Sequence, residues 1–274
     1  MTFGDRLAAL ALKRGRLCVG IDPHPGLLKA WGLDDTVAGV AEFSARCVEA
    51  FAGTVCLVKP QVAFYERFGS AGLAVLEETI AGLRRGGALV VADAKRGDIG
   101  STMAGYAAAW LDDASPLCSD AVTVSPYLGV GALEPAFAAA EATGRGVFVL
   151  AATSNPEARA LQGHRGEDGR TISQQVVDEV AHRNAAHGAH GALGNLGVVV
   201  GATVSQAPDC RGLGGPVLMP GVGAQGGSAR DVAQIMGERL DLAYPNVSRA
   251  VLNAGPHAAD LRKAACAFAA ELEG

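Results

Sequence analysis

Ala88–Asp112 reads A-L-V-V-A-D-A-K-R-G-D-I-G-S-T-M-A-G-Y-A-A-A-W-L-D: an apolar run that ends on charged residues, a glycine turn, then an Ala-rich segment. The run Ala88–Lys95 is apolar at successive positions up to Asp93, as a strand covered on both faces requires. Thr102–Asp112 carries its apolar residues at helical spacing. Together they form one strand-turn-helix unit, and the chain repeats it. Upstream lie Leu17–Asp22 and Thr54–Lys59, and downstream Ala121–Ser125, Gly146–Thr153, Leu196–Thr203, Val217–Val222 and Arg249–Asn253. Helical patterns fall between or after them at Val37–Phe51, Gly69–Arg85, Leu133–Thr143, Ile172–His187, Ser228–Glu238 and Ala258–Glu271. Such alternation is the signature of a parallel α/β sheet.

The 274 residues match the roughly 250 residues of a closed barrel. No Ser- or Pro-rich linker divides them, so the expectation is a (β/α)8 TIM barrel, with residues 1–274 as a single domain. An open, doubly wound sheet produces the same alternation. Two long loops, Asn155–Arg170 and Thr203–Pro216, have the length of active-site lids.

Composition narrows the partners. Charged residues make up 19% of the chain, and the net charge is −5 with no long block of either sign. Nucleic-acid grooves and membrane patches need clustered Lys and Arg, so neither is expected, and a small molecule is. The six cysteines, Cys18, Cys47, Cys56, Cys118, Cys210 and Cys266, lie far apart without a C-x-x-C pair. They read as buried reduced thiols, and hence the protein as cytoplasmic. The opening M-T-F-G-D-R-L-A-A-L-A-L-K-R places charges too early for a signal peptide.

Polar residues break the apolar runs at their C-terminal ends: Asp22, Lys59, Asp93 with Lys95, Ser125, and Thr153 with Ser154. In a parallel barrel those ends form the mouth where active sites sit. Taken singly, each is explained as a solvated strand end or a helix cap. Two lysines and two aspartates on adjacent strands are harder to explain that way. Asp93 and Lys95, at i and i+2, share one face of their strand, and Asp98 follows in the turn, able to reach back toward Lys95 or across a subunit boundary. Burying these charges separately is costly, so they must pair, with Lys59 as the fourth member. An ammonium held between carboxylates stays charged and can deliver a proton; a carboxylate fixed beside an anionic substrate group repels it. The array suits making and quenching a carbanion. Metal ligation is less favoured, because the six histidines show no H-x-x-x-H or H-E-x-x-H spacing on a helix. No G-x-S-x-G stands ready for acyl transfer.

A second cluster is Pro220–Ser228, P-G-V-G-A-Q-G-G-S, between the seventh strand and a helix. Its glycines let backbone N–H groups converge at a helix start, a setting that binds phosphate. Barrels build phosphate sites from the loops after strands seven and eight. Arg249 adds a cationic fork.

These residues resemble the orotidine 5'-phosphate decarboxylase family. D-A-K-R-G-D-I-G-S-T is similar to its D-x-K-x-x-D-I signature, and P-G-V-G-A-Q-G-G to its phosphate loop. L-C-V-G-I-D-P-H-P, V-K-P-Q-V-A-F-Y-E-R-F-G, V-T-V-S-P-Y-L-G and T-S-N-P-E-A resemble the longer, mainly bacterial subfamily. The resemblance implies decarboxylation of orotidine monophosphate in pyrimidine biosynthesis, with no metal or organic cofactor. It implies Lys95 as proton donor, Asp93 against the departing carboxylate, and Lys59 on the ribose, holding the array in register. Asp98, with Ile99 and Thr102, would complete the partner's site in a homodimer. Asp22 would bind ribose, Ser125 the pyrimidine edge, and Pro220 would border the substrate. Gln225 would bridge base and phosphate, and Gly223, Ser248 and Arg249 would hold the phosphate. Gly100 stands where many shorter members carry proline, and the loop 203–219 has no matched residue. A metal-dependent sugar-phosphate barrel shares the D-x-K-x-x-D pattern but has an acidic residue where Lys59 stands. A non-catalytic nucleotide-binding barrel would need only the glycine loop and Arg249.

Overall fold

A computed structural model describes residues 1–273. Eight strands, β1 (Cys18–Ile21), β2 (Leu57–Pro60), β3 (Leu89–Arg96), β4 (Ala121–Val124), β5 (Gly146–Ala152), β6 (Leu196–Val200), β7 (Val217–Pro220) and β8 (Ala243–Val247), follow one another in spatial order. All neighbouring pairs are parallel, and β8 returns to β1 through Cys18↔Asn246 and Val19↔Val247. The sheet is therefore a closed barrel, which decides against the open alternative. Around it run α1 (Phe3–Arg14), α2 (Pro25–Ala30), α3 (Val37–Phe51), α4 (Ala63–Glu66), α5 (Gly69–Arg85) and α6 (Gly100–Leu111). The second half adds α7 (Glu134–Thr143), α8 (Ala158–Gln162), α9 (Ile172–Gly188), α10 (Ala229–Met236), α11 (Arg249–Leu252) and α12 (Ala258–Glu273).

Strand alternation splits the core in two. Outward residues such as Val19, Val58, Val90, Val122, Val149, Val198 and Val217 pack on helix residues including Phe43, Leu76, Trp110 and Val177. Inward residues Cys18, Leu57, Val91, Ala121, Phe148, Val199, Leu218 and Tyr244 form a second cluster, closed by Phe3, Leu7 and Ala11 of α1. Helix α1 thus plugs one end of the barrel, with Phe3 edge-on to Phe148 at 5.8 Å between centroids. Burying each such side chain contributes about 1.5–3 kcal/mol. With that end sealed, function is left to the other.

Three expectations change. Arg249–Asn253 is not the eighth strand: Arg249–Leu252 is a short helix, and the strand is Ala243–Val247, A-Y-P-N-V. Its proline and asparagine disguise it, while the run A-V-L that follows suits strand or buried helix equally. The loop 155–170 holds α8. Five cysteines are buried and free, but Cys266 is exposed. No helix among the described residues is long and apolar enough to cross a membrane.

Candidate active site

At the C-terminal ends of the strands the barrel opens into a cavity of about 290 Å³. Asp22, Lys59, Gln61, Asp93, Lys95 and Thr123 lie on one side, and Pro220, Gly221, Gln225, Ser248 and Arg249 on the other. Leu150, Val199 and Leu218 form an apolar wall between them.

Asp93 is the hub. It is 7% exposed, yet its carboxylate is fully engaged. Oδ2 accepts from Lys59 Nζ and Gln61 Nε2, each at 2.9 Å. Oδ1 accepts from Lys95 Nζ at 2.5 Å and from the Thr123 hydroxyl at 3.0 Å. Burial would raise the Asp93 carboxyl, but the charges of Lys59 and Lys95 outweigh it and hold the group well below the usual carboxylate range. Lys59 shows the converse: burial opposes its charge, while Asp93 and then Asp22 keep it protonated above the ordinary lysine value. Both lysine side chains thus donate to one anion, Lys59 through Oδ2 and Lys95 through Oδ1. Asp22 Oδ1 is buried with no hydrogen-bond partner among the described residues, and the Asp22 side chain lines the cavity with Lys59 and Ser248.

Backbone geometry sets this arrangement. Lys95 has φ 48°, the left-handed region, which costs an L-residue about 1–2 kcal/mol. Strain of that kind concentrates at functional sites. Gly20 of β1 is also dictated by the site, because a Cβ there would stand 1.9 Å from Ser248 Oγ. Its absence lets β1 and the end of β8 close on Asp22 and Ser248.

Across the mouth, Gly221 and Gly223 take φ 102° and 77°, and Gly223 N donates to Gly227 O at 2.8 Å, tightening the loop. Gln225 Oε1 accepts from Ser154 Oγ at 3.2 Å, so the loop already touches the end of β5. The expected donors at the α10 start are partly spent. Ser228 caps that helix in a box with Asp231, whose carboxylate accepts from Ser228 N at 2.8 Å. Arg249, now at the start of α11, is the cation lining this half.

Of the expected site residues, Lys59, Asp93, Lys95, Asp22, Pro220, Gln225, Ser248 and Arg249 line one cavity, and Gly223 sits in the loop beside it. Asp98, Ile99, Thr102 and Ser125 do not line it. Asp98 Oδ1 accepts from Ile99 N at 2.8 Å, and Ile99 is 62% exposed. Ser125 is half-buried, its N–H spent on Arg96 O, whereas Ser154 lines the cavity at the next strand. Sequence reasoning missed Gln61, Thr123 and Asn246. Parity along a strand puts Gln61, two after Lys59, and Thr123, two after Ala121, on inward faces, but a neutral polar residue there stands out only beside its Asp93 partner. Asn246 was hidden in the unread strand. No group of three or more His, Cys, Asp or Glu side chains converges as a metal site among the described residues.

The family model for "Orotidine 5'-phosphate decarboxylase / HUMPS family" matches residues 15–264. An orotidine 5'-phosphate decarboxylase of Corynebacterium glutamicum (strain R) is 64% identical over 274 residues, covering 100% of this chain and 99% of the relative. One from Salinispora tropica is 57% identical over 265 residues, 96% of this chain and 94% of that protein. Among solved structures, a Streptomyces avermitilis crystal structure superposes with TM-score 0.95 at 51% identity, over 99% of this chain and 95% of the other. The Leishmania donovani OMP decarboxylase gives 0.77 at 32%, over 100% and 98%.

Proposed function

The chain belongs to the orotidine 5'-phosphate decarboxylase family, and from that premise we propose how its residues turn orotidine monophosphate into uridine monophosphate and carbon dioxide. It is a carboxy-lyase of pyrimidine biosynthesis. Gln225, Ser248, Arg249 and the backbone at Gly223 would hold the phosphate, with Pro220 bordering the nucleotide. Asp22, which lines the cavity beside Lys59, would accept from a ribose hydroxyl, and Lys59 would reach the same sugar. For the pyrimidine edge, Ser154 is better placed than Ser125, because it lines the cavity and already meets Gln225.

With the phosphate and ribose anchored, the carboxylate on carbon six lies toward Asp93 and the apolar wall of Leu150, Val199 and Leu218. Asp93 stays ionised there, so the two anions repel until carbon dioxide departs. The C–C bond breaks heterolytically and its electron pair remains on carbon six. The Lys95 ammonium, 2.5 Å from Asp93, stabilises that carbanion and then donates its proton to it. Lys95 recovers a proton from water. Four donors occupy the roughly four lone-pair positions of the Asp93 carboxylate, which supports chemistry without a metal on this group.

The convergence of two lysines on one buried, ionised aspartate carries this reading. Lys95→Ala should abolish the ultraviolet change of orotidine monophosphate turnover, in protein treated with EDTA, while uridine monophosphate still binds. Turnover near the wild-type rate in that variant would remove Lys95 from the reaction. We also propose that residues 1–274 act as a single domain within a cytoplasmic homodimer, in which Asp98, Ile99 and Thr102 serve the partner's site.

A further inference from the structure

Between β3 and β4 the register passes from Ala92↔Val122 to Arg96↔Val124, so that Asp93, Ala94 and Lys95 together stand opposite Thr123. The regular ladder is broken where two charged side chains must turn into the cavity. The Thr123 side chain fills the break. Its Oγ1 accepts from Lys95 N at 3.0 Å and donates to Asp93 Oδ1 at 3.0 Å. A backbone N–H only donates and an ionised carboxylate only accepts, so the hydroxyl proton has one direction, toward Asp93. Thr123 is 1% exposed, with no freedom to turn elsewhere. Through one atom it grips the backbone of Lys95 at its left-handed φ and the carboxylate that receives the Lys95 ammonium.

We propose that Thr123 is a positioning residue for the decarboxylation, its hydroxyl fixing the Lys95 ammonium relative to the Asp93 carboxylate. The inference rests on the reading of Lys95 as proton donor. An apolar residue of similar size would fill the volume, as Leu150 and Val199 do on the next inward faces, but would leave both hydrogen bonds unmade. Lys95 is 45% exposed along its side chain, so packing does little to confine it.

Kinetics of Thr123→Val, Thr123→Ala and Thr123→Ser beside Lys95→Ala test this. Misplacing a reacting group costs on the order of 100-fold in rate; the valine and alanine variants should therefore lose about 10- to 100-fold in kcat, with KM for orotidine monophosphate within about threefold. Serine keeps the hydroxyl and should stay within about threefold of wild type in both constants. The alanine variant carries the test if valine does not fold. Hydroxyl-free variants with wild-type kcat would overturn the inference, as would a serine variant as slow as alanine, since the methyl group would then be what matters. Wild-type turnover in Lys95→Ala would instead strike the reading beneath it, so the two failures are separable.

Discussion

Lys59 and Asp93 are a buried pair whose value depends on both staying charged. Asp93→Asn leaves Lys59, 5% exposed, facing a neutral amide. Breaking a buried pair by removing one partner costs about 3–5 kcal/mol, and urea unfolding at pH 7 should show a loss of about 3 kcal/mol. The pH dependence has a definite sign. The Asp93 pKa is lower in the folded protein, so its contribution is fully present above the unfolded carboxyl value of about 3.9 and is lost as pH falls toward the folded value. The stability gap between wild type and Asp93→Asn should be level from pH 7 to about pH 5, then narrow by pH 3. A gap of constant size across that range would mean Asp93 titrates normally. The charged members were legible because a lysine or aspartate ending an apolar run has few explanations. Gln61 and Thr123 were not, since a neutral polar residue near a strand end is unremarkable until its partner is seen.

At the scale of elements, the strands that read as unbroken Val, Leu and Ala runs were found, and the one carrying Pro245 and Asn246 was displaced onto the next helix. Helix α1 went unread because its apolar residues face the inside of a barrel end, a destination local sequence does not encode. Its role is to seal the core, far from the chemistry. Phe3→Ala should therefore lower stability by about 3–5 kcal/mol without changing KM, as denaturant unfolding and steady-state kinetics on one preparation would report. A raised KM would show that the plug communicates with the mouth. Gly20→Ala is its opposite. The added Cβ must displace Ser248, and Asp22 Oδ1 lies only 3.4 Å away. KM should rise about tenfold or more, the loss of about 1.4 kcal/mol of binding, and an unchanged KM would separate Ser248 and Asp22 from the substrate.

For the whole molecule, the repeat of strand and helix pointed to a barrel, but closure needed the β8–β1 pairing, a contact between residues more than two hundred positions apart. Assembly is harder still, because a subunit boundary leaves no period in the sequence. What the fold supplies is an asymmetry: Lys59, Asp93 and Lys95 line the cavity, while Asp98, from the same signature, lies outside it beside the exposed Ile99. If Asp98 serves the partner subunit, two inactive variants should rescue each other. In a hybrid of Lys95→Ala and Asp98→Ala subunits, one site carries both defects and the other carries none. Random re-pairing after equimolar mixing makes half the dimers hybrid, so activity should recover to about a quarter of wild type. If each site used its own Asp98, every site in the mixture would hold one defect and no activity would return. Steady-state turnover after dissociation in mild denaturant and reassociation decides between them.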